Sequence, residues 1–232
     1  MKNILCYLLI VFSPALFAQL PETLLESIDR TEIYRDYEGS IYTHMRYKDA
    51  NVIDENTGAY RAKLRYNALS GQIEYKKGSK LYTIVKTPKV HVRINKDYYY
   101  YSKFRDQRGL EREGYYILVD LNDKYKIYKK YTTKIKEPLM SNVIVKEKGS
   151  MSIVSTYYLE KDGNILELPQ KNEELLSTLG DSSSELKDFI VAEKIRLKKE
   201  DDLVRLISKY SALKNMNNDT SKGLITNIEN EN

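Results

Sequence analysis

The chain has 232 residues, a formal charge of +5, 41% hydrophobic and 31% charged residues. That composition can bury a core and excludes both a fully disordered chain and a multispan membrane protein. One cysteine, Cys6, and two histidines, His44 and His91, leave no set for a disulfide framework, a thiolate-ligated metal or a His-rich metal centre; no cofactor is expected.

Lys2, the apolar run Ile4 to Phe12, Pro14, and the small residues Ala15 and Ala18 read as an export signal cleaved after Ala18. The run is shorter than the ~20 residues a spanning helix needs. Position 19 is Gln, not the Cys of a lipoprotein. The reading therefore places residues 1–18 as a signal peptide and the mature chain in the periplasm or outside the cell, with association with the outer membrane as one option and no transmembrane segment after cleavage. Export also makes nucleic acid an unexpected partner.

Residues 19–58 read as an N-terminal helical and loop segment. Pro21 to Ile33 has Pro at a first helical turn, with Leu24, Leu25 and Ile28 on one side. Asp49 to Gly58 gathers Asp49, Asn51, Asp54, Glu55 and Asn56, oxygen ligands of a type calcium accepts. The alternating register of a calcium loop is missing, so a polar loop is expected.

Residues 59–168 read as an antiparallel β body. Between Ala59 and Lys136 there are 20 basic and 7 acidic residues, and 13 of the 21 tyrosines. In Tyr60 to Tyr66 the apolar residues alternate with Arg61, Lys63 and Arg65, a period of two that puts three cations on one strand face. Asn67 to Gly71 reads as a turn into a strand at Gln72 to Tyr75. Leu81 to Lys86 follows, then Val90 to Ile94, in which Val90, Val92 and Ile94 face away from His91 and Arg93. Tyr98 to Tyr101, Tyr115 to Leu121, Tyr125 to Ile135, Ser152 to Leu159 and Ile165 to Leu168 complete the strands, the last two joined by an Asp-Gly hairpin turn. Residues 169–213 switch to helical spacing. Asn172 is the expected cap of a first helix closed by Gly180, Ser183 or Ser184 of a second, and Leu203, Leu206, Ile207 and Tyr210 mark a third. Residues 214–232 read as a disordered polar tail. The fold class expected is α+β, a largely antiparallel curved sheet or partial barrel with short C-terminal helices packed on it.

The succession RYNALSGQIEYKKGSKLYTI, KVHVRINKDYYYY, LLSTLG and KKEDDLVRLISKYSAL resembles a group of uncharacterised exported Tyr/Lys-rich proteins of Bacteroidota. The resemblance covers Gln19 to Leu213. It implies an envelope location and hands over no catalytic residue.

Nucleophile elbows, Walker loops and zinc-protease helices are absent from the sequence. His91, beside Arg93, reads as a solvated surface histidine, and no spacing makes His44 a metal ligand. Two classes remain. In one, a non-catalytic envelope protein uses Arg61, Lys63, Arg65, His91, Arg93, Tyr98 and Tyr100 to hold an anionic envelope component or an acidic protein partner. In the other, a glycan or peptide hydrolase draws a carboxylate pair from Asp97, Asp106, Glu111, Glu113 and Asp120, the geometry glycoside hydrolysis requires. A sheet that holds lipid against the helices is a further alternative.

Overall fold

The computed structural model describes residues 20–29, 36–138, 148–180 and 183–229, with residues 183 and 215–229 as backbone only. The expected signal peptide lies outside the described residues. The strands are β1 (Leu25–Ser27), β2 (Tyr37–Gly39), β3 (Lys48–Asp54), β4 (Gly58–Asn67), β5 (Gln72–Lys77), β6 (Lys80–Ile84), β7 (Val90–Ile94), β8 (Asp97–Arg105), β9 (Glu111–Asn122), β10 (Tyr125–Lys136), β11 (Gly149–Lys161) and β12 (Asn164–Leu168). The helices are α1 (Asn172–Leu179), α2 (Ser183–Ala192) and α3 (Glu200–Glu229). The fold is α+β, with a mostly antiparallel sheet followed by helices, as the periodicity predicts. Two compact units divide it: residues 1–102 with 132–154, and residues 103–131 with 155–232.

The first unit carries the strand order β1-β6-β5-β4-β3-β7-β8. Its alternation works as the sequence implies. Val52, Leu64, Ile73, Ile84 and Val92 are fully buried and Tyr66 and Tyr99 nearly so, and the cross-strand pairs Val52↔Val92, Tyr66↔Ile73 and Val92↔Tyr99 put them on one face. Asn67 closes the β4–β5 turn by accepting from the backbone N–H groups of Leu69 and Ser70 at 3.1 Å each, an Asx-type turn.

The N-terminal expectation is corrected here. Instead of a helix, Glu22–Leu24 make a single 3-10 turn and β1 pairs with β6 through Leu25↔Ile84 and Ser27↔Tyr82. Pro21 is extended at ψ 145°, and an open sheet edge offers these residues more backbone bonds than an isolated helical turn does. Asp49 to Gly58, expected to be a polar loop, instead supplies most of β3, a central strand between β4 and β7. Its Ala50, Val52 and Asp54 are buried while Asn51 points to the opposite face. Asp54 is the turn cap, accepting from Asn56 N at 3.0 Å and from the Thr57 hydroxyl at 2.6 Å, so its carboxylate is used within the hairpin. β2 pairs in parallel with β11 through Tyr37↔Gly149 and Gly39↔Met151, and β12 in parallel with β8 through Asn164↔Arg105, within the largely antiparallel sheet that was expected.

In the second unit the pairing runs β8-β12-β11-β10-β9 and returns, since β9 also pairs with β8. Phe104, Tyr116, Tyr128 and Ile165 form one buried cluster with Leu118 and Tyr158 against it, one contribution from every strand of that circuit. Phe104 and Tyr116 meet edge to face at 4.9 Å, a favoured aromatic geometry. The opposite strand faces supply Tyr125, Ile127, Tyr157 and Leu168 to a second cluster that the helices complete with Leu175, Leu186, Leu203, Leu206 and Ile207. This is the helix docking the apolar stripes predict. Leu175, Leu186, Leu206 and Ile207 are fully buried in this interface.

Two details of the helices differ from the sequence reading, at the start of α1 and the end of α3, and one contact adds to it. Lys171, not Asn172, stands at the N-cap of α1, while Gly180 ends it at φ 71° as expected. Asp202 Oδ2 in the first turn of α3 accepts from the Arg196 backbone N–H at 3.0 Å, tying the preceding loop to the helix. The backbone of α3 runs to Glu229, past the point where the polar composition suggested that helix would end.

Candidate functional site

The site is on the first unit, on the sheet face opposite its core. Cross-strand pairs join Arg61 to Asn51, Lys63 to Asp49, Asn51 to Arg93, Arg93 to Tyr98, and His91 to Tyr100. Directly opposed residues of antiparallel strands point to the same side. Arg65 lies on that side too, two residues beyond Lys63 on β4. All seven residues predicted from sequence therefore share one face, although they come from three strands.

They divide into three groups. Arg61, Lys63 and Arg93 border an open depression of about 670 Å³ together with Asp49, Asn51 and Asn95. Arg61 and Arg93 flank Asn51 from the two neighbouring strands, so their backbones are roughly 9.5 Å apart, within reach of side chains that converge on one group. Arg93 Nε donates to the Asn95 carbonyl at 3.2 Å, which ties its guanidinium to the β7–β8 turn. Lys63 meets Asp49 at 3.4 Å, but the two side chains are 72% and 90% exposed, and such a pair in water holds little. Three cations against one carboxylate leave the lining positive.

Arg65 departs from the expected cation row. It faces Glu74 across β4 and β5 and donates to Glu74 Oε2 from Nε at 2.9 Å and from Nη2 at 2.7 Å. The Tyr42 ring lies 3.5 Å and the Tyr47 ring 4.6 Å from its guanidinium carbon, a cation–π arrangement. Glu74 Oε1 accepts from Asn67 Nδ2 at 3.0 Å and from the Tyr42 hydroxyl at 3.3 Å. Burial, followed by the Glu74 charge, pushes the Tyr42 hydroxyl up to about 12. The residues around Tyr42 and Tyr47 thus cover this end of the face, and Glu74 neutralises Arg65. Beside it opens a second cavity of about 610 Å³, lined by Tyr42, Arg65, Asn67, Ser70, Gln72 and Glu74 among others.

His91, Tyr98 and Tyr100 form a ledge. His91 and Tyr100 are 4.6 Å apart between ring centres, and Tyr98 stacks on Tyr100 at 4.8 Å. Burial, and then the neighbouring Tyr98, raises the Tyr100 hydroxyl above its ordinary value. His91 is not the solvated residue the sequence suggested: its side chain is 14% exposed and its Nε2 lies 2.9 Å from Glu55 Oε1. Ring stacking against a neighbouring strand accounts for that burial. His44 Nε2 sits 3.3 Å from Asn95 Nδ2, a role no spacing revealed.

The carboxylates considered for hydrolysis lie in different surroundings. Asp106 Oδ2 accepts from Arg112 Nε at 2.9 Å and its Oδ1 caps the turn to Leu110. Glu113 pairs with Lys103 at 3.1 Å. Asp97 is buried in the β7–β8 hairpin, Glu111 opens β9 as an exposed residue, and Asp120 faces Ile127. Among the described residues no three His, Cys, Asp or Glu side chains group in a way that would hold a metal ion, and no helix is long and apolar enough to cross a membrane.

Asn95, Tyr42, Tyr47 and Glu74 are site residues that the sequence does not single out, and Asn51 stands out in it only as a candidate calcium ligand. Glu74 carried a usable signal: the Asn67 to Gly71 turn fixes the hairpin register that sets it opposite Arg65. Asn95 reaches the site through the β7–β8 turn two residues beyond Arg93, Asn51 through its place between Arg61 and Arg93, and Tyr42 and Tyr47 through the long-range approach of their rings to Arg65. No protein-family model, curated protein or solved structure matches this chain.

Proposed function

We propose that this protein is a non-catalytic, exported binding protein of the cell envelope that holds anionic groups in the depression bordered by Arg61, Lys63 and Arg93. The observation that carries the reading is the shared partner of the two guanidiniums: Arg61 and Arg93 both oppose Asn51, from opposite sides, over one positive concavity. Guanidinium groups present flat pairs of N–H donors suited to phosphate, sulfate and carboxylate. Asn51 and Asn95 add amide groups to the rim. The envelope location follows from the export signal read at residues 1–18 and from the resemblance to exported proteins.

The test is a titration with inorganic phosphate followed by nuclear magnetic resonance of the arginine Nε–H groups. The reading expects Arg61 and Arg93 to shift with added phosphate while Arg65, held by Glu74, stays in place. Uniform small shifts across all arginines would contradict it.

A further inference from the structure

We propose that the ligand of the anion site is an aromatic anion, a phosphate or carboxylate joined to a flat ring, and that the ring lies on the row Ala59, Ile53, His91 and Tyr100 beside the cations. This rests on the anion-binding reading above and adds the class of ligand.

The strand register draws two parallel rows across the outer face of the first unit. Arg61 opposes Asn51, Asn51 opposes Arg93 and Arg93 opposes Tyr98, one row over β4, β3, β7 and β8. Two residues along the same four strands, Ala59 opposes Ile53, Ile53 opposes His91 and His91 opposes Tyr100. Directly opposed residues point to one side, and alternate residues of a strand share a face ~6.8 Å apart. Asn51 and Ile53 are therefore neighbours on the outer face of β3, as Arg93 and His91 are on β7, and the second row runs beside the first.

The rows differ in chemistry. The first holds two guanidiniums with an amide between them. The second holds an alanine, an isoleucine and two rings, with no acidic or Lys/Arg side chain among the four. Ala59 is exposed and Ile53, His91 and Tyr100 are partly exposed, so this apolar row meets solvent along its length. Its rings are held in place. His91 Nε2 lies 2.9 Å from Glu55 Oε1, the His91 and Tyr100 ring centres are 4.6 Å apart, and Tyr98 stacks on Tyr100 at 4.8 Å. Side chains already fixed lose little freedom when a ligand is laid against them. Ala59 is the smallest of the four, so a flat group can lie over Ile53 with His91 at its edge, an arrangement that aromatic rings favour.

An anion seated between Arg61 and Arg93 stands over Asn51, one ~6.8 Å repeat from Ile53. A ring bonded to that anion reaches the same distance and arrives over Ile53 beside His91. Both rows are then used at once, the donors by the charge and the apolar row by the ring. An anion without a ring uses only the first row.

The probes are phenyl phosphate against methyl phosphate and benzoate against acetate, with cyclohexyl phosphate as a puckered ring of similar size. The inference expects the ring to raise affinity at least tenfold, and the pair that shows the larger gain identifies the anionic group. Cyclohexyl phosphate should bind more weakly than phenyl phosphate. Ile53→Thr with Tyr100→Thr keeps β-branched strand formers and should remove most of the gain while leaving methyl phosphate affinity unchanged. In the parent, the Ile53 methyl and His91 ring resonances should shift with phenyl phosphate and stay in place with methyl phosphate, a readout that needs no variant to fold. Equal affinity with and without the ring in both pairs, or unmoved Ile53 and His91 signals, would overturn the apolar row as part of the site and leave the anion-binding reading standing. Cyclohexyl phosphate bound as tightly as phenyl phosphate would overturn the aromatic assignment. Binding of none of these anions, or binding that survives Arg61→Gln with Arg93→Gln, would overturn the underlying reading as well.

Discussion

Arg65 and Glu74 face each other across β4 and β5 with side chains 13% and 3% exposed, joined by two hydrogen bonds and covered by the Tyr42 ring. A buried ion pair recovers its desolvation only when the remaining polar atoms are satisfied, which Asn67 and Tyr42 do for Glu74. Removing one partner strands the other. Glu74→Ala should therefore cost about 3–5 kcal/mol, read from urea denaturation. Arg65→Met with Glu74→Leu should be far closer to the parent than Glu74→Ala. A Glu74→Ala midpoint equal to the parent's would mean that the pair is not buried as described.

Leu206 is fully buried among Leu175, Leu186, Leu203 and the strand residues Tyr125 and Ile127. Leu206→Ala should destabilise the second unit by roughly 2–5 kcal/mol through lost transfer energy and the cavity left behind. Chemical denaturation followed by tyrosine fluorescence checks it, with Val191→Ala as the comparison. Val191 is 71% exposed on the same set of helices and should leave the midpoint in place.

Gly39 has φ +100°, and a Cβ there would fall 2.0 Å from the Met151 carbonyl oxygen. Backbone cannot yield as a flexible side-chain end does, so Gly39→Ala should break the β2–β11 pairing. Gly58 has φ +108° but open space around it. Gly58→Ala should carry only the conformational strain, on the order of 1–3 kcal/mol. Hydrogen exchange at Met151 and Gly149 should accelerate in the Gly39 variant and stay as in the parent for the Gly58 variant.

Asp54 is held below the ordinary carboxylate range by the Thr57 hydroxyl and then by the Asn56 backbone N–H. Asp202 is held low by the Arg196 backbone N–H and then by the Arg196 side chain. A folded-state value below the unfolded one stabilises the fold at pH above the ordinary carboxylate value of about 4, and that contribution is lost as pH falls through the lower folded value. Urea midpoints should drop on acidification below pH 4. The gap between the parent and Asp54→Asn should close over the same window. A gap that stays constant down to low pH would contradict the assignment.

Much of the fold was legible because short-range rules governed it. Alternation in Tyr60 to Tyr66 and Val90 to Ile94, and the Asp162-Gly163 turn with φ 52° and 79°, each need only neighbours in the chain to act. β3 was illegible because its period-two pattern is carried by Ala50, Val52 and Asp54, one of them a charged turn cap, and its place between β4 and β7 is decided by partners about ten and forty residues away. For the site, Arg61, Lys63, Arg93, Tyr98 and Tyr100 could each be assigned to a strand face, and the register then brought those faces together. Arg65 shared their period but not their surroundings. What neutralises it is Glu74 from the hairpin partner and a tyrosine cover from residues 42–47, and alternation says nothing about a cover.

Arg61, Lys63 and Arg93 are proposed to form one anion-binding surface, and the most direct measurement is the affinity of the protein for dextran sulfate at low and high salt. The three positions are largely outside the core, so Arg61→Gln, Lys63→Gln and Arg93→Gln combined should leave the denaturation midpoint close to the parent's. The parent should bind at low salt and lose affinity steeply as salt rises, because exposed charges are screened over about 8 Å at physiological ionic strength. The triple variant should bind at least tenfold more weakly at low salt and respond less to added salt. A triple variant that binds as tightly as the parent, with the same salt response, would contradict the claim.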